Sequence, residues 1–166
     1  MRKQYLTSIS KIVIHTSATL PGRDVTAQEI DGWHKAKGWA MIGYHTVIRL
    51  DGTIERGRDY GREGAHVKGH NAGTLGICMV GGLNDNGDPA CTYNDQQWHA
   101  LFYEIHQILR VCPNVQIICG HRDMSPDTDD SGTVESDEWL KSCPCFSVKK
   151  MLTTWGMSQY IAPWAT

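Results

Sequence analysis

Lys11-Ile12-Val13-Ile14-His15 is a short β-branched run that leads straight into a histidine. It reads as a central strand. Residues 115–119, Val-Gln-Ile-Ile-Cys, repeat the arrangement and deliver His121 just past their end. Strand exits are where sheet proteins place functional groups, so the two histidines are taken together. A third candidate is Cys143, inside Lys141-Ser-Cys-Pro-Cys145-Phe146. Two imidazoles and one thiolate fill three corners of a zinc tetrahedron and leave the fourth to water, which is the catalytic rather than the structural arrangement. Convergence of His15, His121 and Cys143 on Zn2+ is therefore expected, and with it a zinc hydrolase.

Working outward from that strand, helices and strands alternate. Thr26-Ala-Gln-Glu29 is a capping box that starts a helix, with Ile30 and Trp33 as its buried face and Gly38 as its stop. Residues 44–50 and 53–55 flank Asp51-Gly52, a strong hairpin signal. Residues 57–73 are rich in Gly, Arg and His without periodicity and read as a long surface loop. An apolar strand follows over 74–80. A second helix begins at Thr92 or Asp95, with Trp98, Leu101, Phe102, Ile105, Ile108 and Leu109 at helical spacing, and Cys112-Pro113 ends it. Residues 146–155 fit a last helix with Val148, Met151, Leu152 and Trp155 inward. The expected fold is one α/β domain over residues 1–166, a central mixed sheet flanked by helices.

At 166 residues and 40% hydrophobic content, the chain suits a single core. Sixteen basic and 18 acidic residues give a net charge of -2, which argues against a nucleic-acid binder. Seven of the acids lie between 122 and 138 beside one base, Arg122, so the remaining body holds 15 bases against 11 acids and can approach an anionic polymer. No apolar stretch has the roughly 20 residues of a membrane span. The first residues show no apolar segment of a secretory signal, so synthesis in the cytoplasm is expected. The six cysteines are irregularly spaced and are read as free thiols, with Cys78, Cys112 and Cys119 as small core residues. His34, His99 and His106 fall within helices and are read as structural.

The acidic stretch matches a twelve-residue EF-hand loop. Oxygen ligands stand at loop positions 1, 3 and 5 (Asp127, Asp129, Ser131), glycine at 6, a carbonyl donor at 7 (Thr133) and glutamate at 12 (Glu138). Pro126 argues against a regular entering helix. Ca2+ is the expected ion, and the bland alternative is a solvated acidic loop.

A larger pattern then emerges. Ile14-His15-Thr-Ser-Ala18, Trp33-His-Lys35, Gly43-Tyr-His45, Asp51-Gly52-Thr53 and Ala65-His66 with Asn71 are followed by Leu75-Gly-Ile77, Val80-Gly-Gly82, Gly120-His-Arg-Asp123 and Cys143-Pro144. In this order they resemble the zinc-dependent N-acetylmuramoyl-L-alanine amidases of the type-2 amidase and peptidoglycan-recognition-protein group, phage lysozyme-amidases especially. The resemblance runs from about Lys11 to Trp155. It implies zinc on His15, His121 and Cys143, with Tyr44 and Lys141 as catalytic groups beside the metal. Cys145 is the rival thiolate. His66 and Asn71 are expected to contact glycan or peptide. The implied substrate is peptidoglycan, or muropeptides derived from it, cut at the amide between N-acetylmuramic acid and L-alanine.

Three other readings stay open at this stage. One is a binding-only peptidoglycan module, although such modules typically lack the cysteine ligand. Another is a cytoplasmic amidase recycling muropeptides, in place of a phage-type lysin acting on the wall after release. The last is a cysteine hydrolase using Cys143 or Cys145. A monomer is expected in each case.

Overall fold

The computed structural model describes residues 6–166; the first five residues of the stretch read for a targeting signal lie outside the described part. Five strands form one mixed sheet in the order β3-β2-β4-β1-β5. They are β1 (Lys11–Thr16), β2 (Thr46–Ile48), β3 (Ile54–Arg56), β4 (Thr74–Met79) and β5 (Ile117–Gly120). Among the described residues, the longer helices are α1 (Ala27–Ala36), α2 (Asp95–Val111) and α3 (Val148–Thr154), and short 3₁₀ turns stand at Arg122–Met124 and Ser158–Tyr160. The Asp51-Gly52 turn makes the antiparallel β2–β3 pair, while β2–β4, β4–β1 and β1–β5 are parallel.

Parallel neighbours explain why β1 is buried from Ile12 onward, since helices and loops cover both of its faces. Ile12 and Ile14 join Leu75, Ile77 and Ile118 against Leu101, Ile105 and Ile108 of α2 and Leu152 of α3. Each such fully buried side chain contributes about 1.5–3 kcal/mol of burial free energy. Val13 points to the opposite face with Cys119 and Val67. On that same side α1 packs Ala27 and Ile30 on Val47, Cys78 and Val80. By the two-residue period of a strand, His15 shares the face of Val13.

Local signals hold up well. Thr26 and Glu29 cap α1 reciprocally, and Gly38 stands just beyond its end with φ +85°. The inner face of α1 is Ile30 with His34, and Trp33 is only half-buried. Asn94, rather than Thr92 or Asp95, caps α2, paired with Gln97. The buried stripe of α2 includes Gln97 and Glu104, which moves Phe102 aside to 41% exposure against His106 and Trp155. Buried Glu104 is matched by Arg56 and the hydroxyls of Thr46 and Tyr60. All six cysteines are free thiols. Among the described residues no helix is long and apolar enough to cross a membrane.

Candidate metal centre

Two adjacent parallel strands end at the same edge of the sheet, and each brings a histidine there. His15 is the fifth residue of β1. His121 follows Gly120, and its N–H donates to the Ile14 carbonyl at 3.0 Å, which extends the β1–β5 ladder by one rung. The two rings consequently lie side by side, with Nδ1 3.1 Å from Nδ1. The chain then leaves through the acidic loop and returns with Cys143. Its carbonyl accepts from the Arg122 N–H at 2.8 Å, and its Sγ accepts from the Thr16 N–H at 3.2 Å. Close approach of this segment needs Gly120, where a Cβ would meet the Pro144 ring at 2.6 Å. Cys143 Sγ stands 3.9 Å from His15 Nδ1. One donor atom from each of His15, His121 and Cys143 lies within 4.8 Å of the other two.

The electrostatics favour neutral donors with free lone pairs. Burial, reinforced by His66, His121 and Lys141, holds His15 well below the ordinary imidazole range. Burial and then Lys141 bring His121 down to about 4. Burial raises the Cys143 thiol to about 12, opposed by the Thr16 N–H. No carboxylate is gathered with them, so a bound cation is the natural compensation for a buried thiolate. Two nitrogens and one sulfur suit zinc rather than calcium or magnesium, and three protein donors leave one position open. The donor set fits a catalytic zinc. Cys145 faces elsewhere, its Sγ directed to the Gly82 carbonyl at 3.3 Å.

Beside this cluster, reached through His121, is a cleft of about 540 Å³ lined by Trp39, His66, Lys68, Asn71, His121 and Lys141. Lys141 is exposed at its rim. Tyr44 approaches from the segment just before β2, its ring centroid 5.1 Å from that of His15. Burial, with Cys78 and Cys143 nearby, raises its phenol well above the usual range. The segment carrying Tyr44 into β2 is positioned by α1, because Gly43 N–H donates to His34 Nδ1 at 2.9 Å.

The stretch expected as a surface loop, residues 57–73, is partly interior. Val67 is 3% and His66 8% exposed. Asn71 pins it by accepting from the N–H groups of His66 (2.8 Å) and Val67 (2.9 Å). His66 and Asn71 both line the cleft, yet both are also committed to holding this segment. Residues 57–73 carry no periodicity that would mark His66 as turned inward.

The acidic loop gathers carboxylate oxygens of Asp127, Asp129 and Glu138 within 4.8 Å of one another. Asp127 accepts from the N–H groups of Ser131 and Gly132, and Ser131 Oγ donates to the Thr133 carbonyl at 3.1 Å. The Thr128 hydroxyl and N–H hold Glu138 down at about 2. Val134, buried, ties the loop to the C-terminal segment through the Trp164 carbonyl. As Pro126 implies, no α-helix leads into it; a 3₁₀ turn, Arg122–Met124, ends before it.

The model of the N-acetylmuramoyl-L-alanine amidase family matches residues 5–133, a span that stops short of Cys143. An endolysin of Enterobacteria phage K11 is 37% identical over 145 residues, which cover 87% of this chain and 86% of that protein. An endolysin of Klebsiella phage KP32 is 38% identical over 85% of this chain and 83% of its own length. Among solved structures, the N-acetylmuramoyl-L-alanine amidase LysC from Clostridium intestinale URNW superposes with a TM-score of 0.69 at 28% identity, covering 92% of this chain and 88% of that one. The chain belongs to the N-acetylmuramoyl-L-alanine amidase family.

Proposed function

We propose that this protein is a zinc-dependent amidase that hydrolyses the bond between the lactyl group of N-acetylmuramic acid and L-alanine of the stem peptide. The observation that carries the reading is the convergence of His15, His121 and Cys143, with His121 opening onto a cleft. Zinc held by these three residues supplies Lewis acidity, which acidifies water and polarises a carbonyl.

The remaining chemistry falls to side chains of the chain itself. Lys141, a cation at the cleft rim, is placed to stabilise the negative charge that develops on the attacked carbonyl oxygen. Tyr44 keeps its proton at neutral pH, so it acts as a hydrogen-bond donor that orients water or serves the leaving amine. Trp39, 42% exposed, offers a flat apolar face to the glycan or peptide, with Lys68, His66 and Asn71 along the same wall.

The endolysin relatives favour a lytic role on the cell wall, reached after release from the cytoplasm, over recycling of imported fragments. The cysteine donor favours a catalyst over a binding-only module. The acidic loop is assigned Ca2+, supported by the twelve-residue spacing and the gathered carboxylates.

Metal analysis of the purified protein should return about one zinc per chain, and a muropeptide digest scored by mass should yield intact glycan and free peptide. Lys141→Ala and Tyr44→Phe should each lower turnover about 10²–10³-fold with zinc retained. Glycan fragments, or full activity after zinc is stripped, would overturn the assignment.

A further inference from the structure

His66 packs directly against His15. Its Nδ1 is 2.9 Å from His15 Nε2, and the two rings meet edge to face with centroids 4.9 Å apart. On its other side His66 Nε2 is 3.3 Å from Thr74 Oγ1. The Thr74 hydroxyl has a single proton, and that proton is directed to backbone carbonyls, Asn71 at 2.9 Å and His70 at 3.2 Å. Toward His66 the hydroxyl therefore offers only its lone pair. The proton on the His66 ring belongs on Nε2, donated to Thr74, and Nδ1 is left to accept. His15 must then donate from Nε2. Its own Nδ1 is bare and faces His121 Nδ1 and Cys143 Sγ.

We propose that His66 is a positioning residue: with Thr74 it fixes the His15 tautomer, so that the nitrogen facing the cluster always carries a lone pair. The inference rests on the reading of His15 as a metal ligand. Three further contacts hold the His66 ring in this role. Asn71 clamps its backbone. Gly76 leaves room for the ring, since a Cβ there would meet ring atoms at 2.7 Å, and Gly64 does the same from its own segment. Thr74 and Gly76 both lie on β4, which pairs with β1, so the strand beside His15 carries the parts that orient it. Outer partners of this kind govern the orientation of ligating histidines.

The test uses nitrogen NMR of the metal-free protein and zinc affinity measured by chelator competition. In the wild type the two-bond correlations of His15 should show the proton on Nε2. His66→Leu should lose that preference and weaken zinc binding about 10–100-fold. His66→Asn, which returns an acceptor oxygen near the Nδ1 position, should recover most of both. Thr74→Val, nearly isosteric, should mix the tautomers and keeps the test decisive if His66→Leu does not fold. Unchanged zinc affinity and an unchanged His15 tautomer in His66→Leu, or in Thr74→Val where His66→Leu does not fold, would overturn the proposal. A wild type that binds no zinc, yet shows the Nε2 proton, would overturn the amidase reading and leave the tautomer relay standing.

Discussion

The molecule gathers possible ligands in two places, and it does so by opposite means. At the strand edge, His15 stands 106 residues before His121, Cys143 follows later in the chain, and all three are buried or half-buried. Their relative placement is set by ladder hydrogen bonds between β1 and β5 and by two backbone N–H groups on Cys143. In the acidic loop, Asp127, Asp129 and Glu138 lie within twelve residues; Asp129 is exposed and the other two are half-buried. There the geometry comes from the loop's own N–H groups folding onto its carboxylates. A site built on a sheet is stiff and costly to disturb, whereas a site built on a loop is local and separable. The first suits chemistry and the second suits bracing.

The widest gap between the two should appear on ligand removal. Cys143→Ser should lose zinc and at least about 10³-fold of amidase activity, because ligands acting as a unit fail together. Asp127→Asn should change activity by less than about twofold. Comparable losses in both variants would show that the loop takes part in the reaction, and the contrast would collapse.

Acid should separate the regions next. His45 is buried, accepts from the Gly76 N–H and contacts the Arg62 carbonyl; burial lowers it from 6.5 to about 4. The unfolded chain binds a proton at His45 below pH 6.5 and the folded one does not. Its stabilisation is thus present above pH 6.5 and is lost as pH falls toward 4, about 3 kcal/mol in all. Glu138, held at about 2, stays charged through that window. Melting of the metal-free protein should fall between pH 6.5 and 4.5, with a shallower slope in His45→Gln. Equal slopes would remove His45 from the explanation.

The smallest effect belongs to calcium. A millimolar addition should raise the melting temperature by about 2–4 °C, the equivalent of roughly 1 kcal/mol in a chain of this size. Asp127→Asn should abolish the rise. Identical melting curves with and without the ion would leave the loop as solvated acid alone.

What was legible in the sequence tracks how local each cause is. The α1 capping box and the Asp51-Gly52 hairpin are settled within four residues, and both stand as read. His15 and His121 were legible because each follows an apolar strand. The structure then adds what no local pattern contains, that β1 and β5 are parallel neighbours. Cys143 was preferred over Cys145 through family resemblance, since two residues of spacing cannot say which sulfur turns inward. The inward turn of His66 was hidden because its partners, His15, Thr74 and Gly76, belong to other segments and meet it only across the sheet. Asn94 was missed as the α2 cap because Thr92 and Asp95 carry the same short polar chemistry one or two positions away.

The tether on Cys143 has one more consequence. Its sulfur and its carbonyl are gripped by main-chain amides at positions 16 and 122, and every amino acid except proline owns such an amide. The side chains at those two positions are thereby released from the task of placing the third donor. Drift in their identity can retune the surroundings while the sulfur stays where it is, and a proline at either one would cut the hold.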